Sequence, residues 1–77
     1  MKLYFENTYG QRRIIAEPSN REEAQKEINK FCRDRSFVIY YIRTWRDGDG
    51  LIVYDVGSHT EFFLLDDSET ENDNGNE

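Results

Sequence analysis

Apolar and polar residues alternate through Lys2-Leu3-Tyr4-Phe5-Glu6-Asn7, the two-residue period of a strand with one buried side. Tyr9-Gly10-Gln11 supplies a turn, and Arg12 to Glu17 reads as a second strand paired with the first. Pro18 stops the sheet because it has no N–H for the ladder. From Asn20 the period lengthens: Ala24, Ile28, Phe31 and Cys32 fall at i, i+4, i+7 and i+8, one stripe of a helix predicted to run to Asp34. Ser19 and Glu22 have the S-x-x-E spacing of a capping box, in which hydroxyl and carboxylate satisfy each other's backbone N–H groups. Glu22 and Glu23 in the first turn, with Lys30 and Arg33 near the last, match the helix dipole.

Phe37 to Arg46 is a nearly unbroken run of β-formers, and its length predicts the central strand of the sheet. Asp47-Gly48-Asp49-Gly50 is a hairpin turn, since Gly and Asp tolerate positive φ. Leu51 to Val56 returns, Gly57-Ser58-His59-Thr60 turns again, and Glu61 to Leu65 closes a three-strand meander. The fold class is therefore α+β: a two-layer ββαβββ domain over residues 1–65, its antiparallel sheet packed on one face by a single helix. Residues 66–77 contain no apolar side chain and are expected to form a disordered acidic tail, because they have nothing to bury against their ordering entropy.

A turn centred between Gly48 and Asp49 sets Trp45 opposite Ile52, Arg43 opposite Tyr54 and Tyr41 opposite Val56. Closing the next turn sets Phe63 opposite Tyr54. One face then carries Val38, Tyr40, Ile42, Leu51, Val53, Phe62 and Leu64, and suits the helix stripe together with Leu3, Phe5, Ile14 and Ala16. The other carries Tyr41, Arg43, Trp45, Ile52, Tyr54, Phe63 and Leu65. A lone helix shields one face only, and monomers rarely leave more than a few hundred Å² of contiguous apolar surface in water. Aromatic rings with an arginine are also enriched at interface hot spots. Tyr41, Arg43, Trp45, Tyr54 and Phe63 are thus the expected binding face, meeting either a second copy or a foreign protein.

Charge sharpens the picture once it is sorted by position. The chain of 77 residues has a net charge of -6, from 10 basic and 16 acidic side chains. All the basic residues lie in 1–65 beside ten of the acids, so the body is neutral; Asp66, Asp67, Glu69, Glu71, Asp73 and Glu77 hold the whole excess. A neutral body does not favour a strongly cationic DNA binder, and no apolar run is long enough for a membrane span or a signal peptide. A cytoplasmic location is expected, in keeping with a single cysteine, Cys32, that has no internal partner for a disulfide.

Candidate chemistry is sparse. His59 is the one histidine, and no second His or Cys stands at ligand spacing, so no metal site is expected. Asp47, Asp49 and Asp55 suggest calcium, but Leu51 and Ile52 occupy positions where the loop needs a ligand and a glycine; a solvated hairpin fits better. Phosphate-cradling glycine motifs are absent, and no cofactor is expected. Ser58-His59-Thr60 with Asp55 has the ingredients of a nucleophilic site, but neighbours on one tight turn rarely meet the required geometry. The plainer reading has Ser58 or Thr60 bonding the turn backbone, His59 exposed, and Asp55 pairing with an arginine such as Arg43 to hold the meander in register. Cys32, within the helix stripe, reads as core filler.

Tyr41-Ile42-Arg43-Thr44-Trp45 and Asp55-Val56-Gly57-Ser58-His59-Thr60-Glu61-Phe62-Phe63 are similar to stretches in a family of small proteins, without assigned activity, from Gram-positive bacteria and their phages or prophages. The resemblance covers residues 1–65 and carries over no catalytic residue. It implies a cytoplasmic protein of mobile DNA, a setting where short non-enzymatic modulators of host proteins are common. The expected function is a non-catalytic interaction module, a homodimer or a modulator of a host protein, with no membrane role. The alternative is a small single-stranded nucleic-acid binder, with Arg43 for phosphate and Tyr41, Trp45 and Tyr54 as stacking rings.

Overall fold

The computed structural model describes residues 1–68. Strands β1 (Lys2–Glu6) and β2 (Arg12–Ala16) precede helix α1 (Arg21–Asp34), and β3 (Arg43–Arg46), β4 (Ile52–Asp55) and β5 (Phe62–Asp66) follow it. They form one antiparallel sheet in the order β2-β1-β5-β4-β3, with α1 packed on one face. This is the two-layer ββαβββ architecture that the periodicities predict. Among the described residues no helix is long and apolar enough to cross a membrane.

Both hairpins that flank the chain's ladders close in the same way. Asn7 N–H donates to the Gln11 carbonyl, Gly10 N–H to the Asn7 carbonyl, and the Asn7 side-chain oxygen accepts from the N–H groups of Tyr9 and Gln11. Asp47 repeats the arrangement with Leu51, Gly50 and Asp49. In each, a three-residue loop ends on a glycine with φ near +80° (79° at Gly10, 86° at Gly50), the left-handed position that glycine takes without strain.

That loop length corrects the expected register. The second turn is centred on Asp49 rather than between Gly48 and Asp49, so the observed pairs are Arg43–Asp55, Thr44–Tyr54, Trp45–Val53 and Arg46–Ile52. A slip of one residue moves side chains to the opposite face. Tyr54 still pairs with Phe63, as predicted. The helix, however, covers Leu3, Ile52, Tyr54, Phe63 and Leu65 through Ala24, Ile28, Phe31 and Cys32, rather than the aliphatic set around Val53 and Leu64. The large rings decide this: Phe5, Phe31 and Phe63 stack in mutual contact, with centroids 4.8–5.4 Å apart, and Phe37 joins edge-on to Phe5 at 6.3 Å. Tilted and edge-to-face ring pairs are favoured geometries, and they bury the largest apolar areas in the domain.

Two further expectations are corrected. The run from Phe37 is not a central strand; only Arg43–Arg46 is laddered, and β3 forms an edge, while β5 takes the centre. Residues Phe37–Ile42 are attached instead by single anchors, with Phe37 and Ile39 against the core and Tyr40 N–H donating to the Val56 carbonyl. The capping box is shifted by one: Asn20 is the N-cap and accepts from Glu23 N–H, while the Glu23 carboxylate accepts from Ser19 N–H. At the other end Phe37 N–H donates to the Cys32 carbonyl and Ser36 N–H to that of Arg33. This is the Schellman closure, with Ser36 at φ 56° where a glycine usually stands. Of the expected acidic tail, Asp66 closes β5 and Asp67 accepts a two-pronged ion pair from Arg46 at 3.0 and 3.2 Å; residues 69–77 lie outside the described residues.

Candidate functional site

The five residues of the expected binding face part company. Tyr54 and Phe63 are 3% and 0% exposed and belong to the core beneath α1, which corrects their placement on an open face. The register set by the three-residue loop parts them from Trp45, and the ring cluster of Phe5, Phe31 and Phe63 puts their side beneath the helix. Tyr41, Arg43 and Trp45 stay outside, at the β3 edge. There the Arg43 guanidinium lies 5.5 Å from the Tyr41 ring and 5.9 Å from the Trp45 ring, a cation between two π-faces.

The face opposite α1 carries one apolar row across all five strands: Trp45, Val53, Leu64, Tyr4 and Ile14 are successive cross-strand partners. Its middle is closed, since Val53 and Leu64 are buried between their neighbours, while Trp45 and Ile14 at the two ends are exposed. Open apolar surface is therefore concentrated along one edge. Val38, Tyr40, Tyr41, Ile42 and Trp45 are each between 41% and 73% exposed. Val38, Tyr40 and Ile42 were expected under the helix. Their exposure follows because Phe37–Ile42 is not laddered to the sheet and is held to the core by Phe37 and Ile39 instead.

Asp55 holds this edge to the sheet. Its carboxylate accepts from Arg43 Nη2 at 2.9 Å and from Gly57 N–H at 2.9 Å, the structural pair that the sequence suggested. The Arg43 bond, reinforced by the Gly57 N–H, holds the Asp55 carboxyl below the usual aspartate range. Gly57 has φ 98°, and a Cβ there would stand 2.8 Å from Tyr40 Cβ, so the chain passes under the Tyr40 ring only as glycine. Gly57 and the exposed Tyr40 are the features that sequence reasoning missed. The D-V-G spacing, an Asx-type turn residue two before a glycine, was the available signal.

Between Phe37–Tyr41 and Gly57–Glu61 lies an open groove of about 790 Å³. Two of its polar side chains, Ser58 and Glu61, are engaged with each other. Ser58 Oγ donates to Glu61 Oε1 at 2.7 Å and accepts from Thr60 N–H, as the turn reading predicts, and His59 is exposed. With Asp55 occupied by Arg43 and Gly57, Ser58, His59 and Asp55 are not arranged as nucleophile, base and orienting acid. Asp47 bonds its own turn backbone, and among the described residues no group of three His, Cys, Asp or Glu side chains could hold a metal ion. Cys32 is buried, and burial pushes its thiol pKa up, away from the reactive thiolate.

No protein-family model, curated protein or solved structure matches this chain.

Proposed function

We propose that this protein is a non-catalytic protein-interaction module, working as a homodimer or as a modulator of a host protein in the cytoplasmic, phage- or prophage-type setting that the resemblance implies. One observation carries the reading: Val38, Tyr40, Tyr41, Ile42 and Trp45 are all left exposed along one edge of a folded domain. Such surfaces are covered by partners in soluble proteins, and Tyr, Trp and Arg are the residue types that anchor them. Solution mass tests it, measured by sedimentation for the wild-type chain alone and with host extract. A Tyr41→Ala, Trp45→Ala double variant should stay folded and lose association. A wild-type chain that associates with nothing, or a double variant that associates unchanged, defeats the reading.

The placement of Arg43 between the rings of Tyr41 and Trp45 also supports single-stranded nucleic-acid binding, with stacked bases and one phosphate contact. Asp55 already neutralises that arginine, which weakens this second reading. Titrating an oligonucleotide at low salt while following Trp45 fluorescence separates the two. Salt-sensitive quenching favours nucleic acid, and an unchanged signal excludes it.

A further inference from the structure

We infer that two copies of this chain join edge to edge along β3, antiparallel about a two-fold axis at Thr44, so that two five-stranded sheets become one. The inference rests on the interaction reading above and names the occupant of that edge: a second copy.

The two edges of the sheet differ in how well they resist such pairing. The β2 edge is kinked by a bulge opposite Leu3 and Tyr4, a device that blunts an edge, and carries Arg13 beside Arg12, which is itself paired with Glu6. The β3 edge is flanked by Val38, Tyr40, Tyr41 and Ile42, all β-formers and all exposed. Its own cations are compensated within the chain, Arg43 by Asp55 and Arg46 by Asp67, so two such edges approach without uncompensated like charge. The five exposed apolar side chains present on the order of 500 Å², against about 800 Å² per partner in a standard interface. The strand backbone and the flanking polar side chains of an edge pairing supply the remainder.

Backbone parity and the side chains it brings opposite one another select the axis. Asp47 N–H donates to the Leu51 carbonyl, so Asp47–Leu51 is a hydrogen-bonded pair, and by alternation Trp45–Val53 and Arg43–Asp55 also turn their backbone groups into the sheet. Thr44 therefore turns its N–H and carbonyl outward. An axis through Arg43 would oppose two guanidinium groups, and one through Trp45 would set Thr44 against Arg46 of the second copy. An axis through Thr44 pairs its N–H with the carbonyl of Thr44 in the second copy, in both directions. It also sets Arg43 opposite the second copy's Trp45 and the reverse, a cation against a ring rather than against another cation. Threonine opposite threonine is itself a favourable cross-strand pair.

The test is sedimentation and cross-linking of the full chain. Wild type should run at twice the 9.2 kDa chain mass. Thr44→Lys, which places two ammonium groups face to face, should weaken self-association by about tenfold. Thr44→Pro, which deletes the outward N–H, should leave a monomer, and both variants should keep the wild-type circular dichroism. Should the proline variant fail to fold, Thr44→Cys still decides. Paired Thr44 Cα atoms about 5.5 Å apart lie within disulfide reach, so mild oxidation should give a covalent dimer, with the buried Cys32 inert. A wild-type chain that is monomeric at about 100 µM, where a specific interface should be populated, overturns the inference. So does a dimer indifferent to Thr44→Lys, or a Thr44→Cys chain that stays monomeric under oxidant. A dimer that ignores Thr44 but dissociates in the Tyr41→Ala, Trp45→Ala variant overturns edge pairing alone and leaves the interaction reading standing.

Discussion

Phe63 and Trp45 are both ring side chains on one sheet, yet Phe63 is 0% exposed and Trp45 is 44% exposed. Phe63 sits on the central strand, on the side that α1 covers, in contact with the rings of Phe5 and Phe31. Trp45 sits on the edge strand and on the other side. The comparison shows that hydrophobicity did not sort these residues; position across the sheet did. A single 14-residue helix shields the middle of one face, and whatever lies beyond its reach must be closed by neighbours, as Val53 and Leu64 are, or left in water. What stays in water here is largely aromatic and gathered on an edge, which is why the functional reading falls there.

The largest effect should come from truncating the two rings in turn. Phe63→Ala should cost about 3–5 kcal/mol, comparable with the whole stability of so small a domain, whereas Trp45→Ala should cost within about 1 kcal/mol. Urea denaturation of both variants measures the contrast, and equal losses would mean the faces are misassigned. Next in size is the fastening between core and edge. Gly57→Ala combines a left-handed backbone with contact against Tyr40, for about 2–4 kcal/mol. Gly50→Ala has a similar φ but open space around it, so it should cost only about 1–2 kcal/mol. A smaller loss at Gly57 than at Gly50 would show that the Tyr40 segment is not seated on the meander.

Asp55→Asn weakens the same fastening more gently, by about 1–2 kcal/mol at neutral pH, since the Gly57 N–H keeps an acceptor. Its pH dependence has a definite sign. The folded-state pKa is depressed, so the stabilisation is complete above the unfolded-state value near 4 and is lost as pH falls through the lower folded-state value. Thermal melts from pH 7 downward should therefore converge for wild type and Asp55→Asn in acid. Curves that stay parallel would separate the carboxylate from this role. The smallest effect has the opposite direction. Ser36→Gly, at the left-handed residue where α1 hands over to the edge segment, should raise stability by about 1 kcal/mol, read as a rise in melting temperature.

The helix was legible residue by residue: the stripe of Ala24, Ile28, Phe31 and Cys32 needs only the 3.6-residue period, which is local. So were the two hairpins and the pairing of Asp55 with Arg43, since turn residues and opposite charges a short loop apart declare themselves. The candidate site was half legible. Tyr41, Arg43 and Trp45 were placed outside and are outside; Tyr54 and Phe63 were placed with them and are core. One residue of loop length separates those outcomes, because Gly50 in the left-handed position makes the turn odd rather than even.

Composition and period by themselves determined that one helix would lie on one antiparallel sheet, and that this left a second side to account for. The tertiary structure alone decided which side the helix took, that Arg43–Arg46 became an edge rather than the centre, and that the open apolar surface gathered along it. The physical reason is the two-residue period of a strand. It states without ambiguity that alternate side chains face opposite ways, but which way depends on a register fixed by turn geometry and by contacts between residues far apart in the chain.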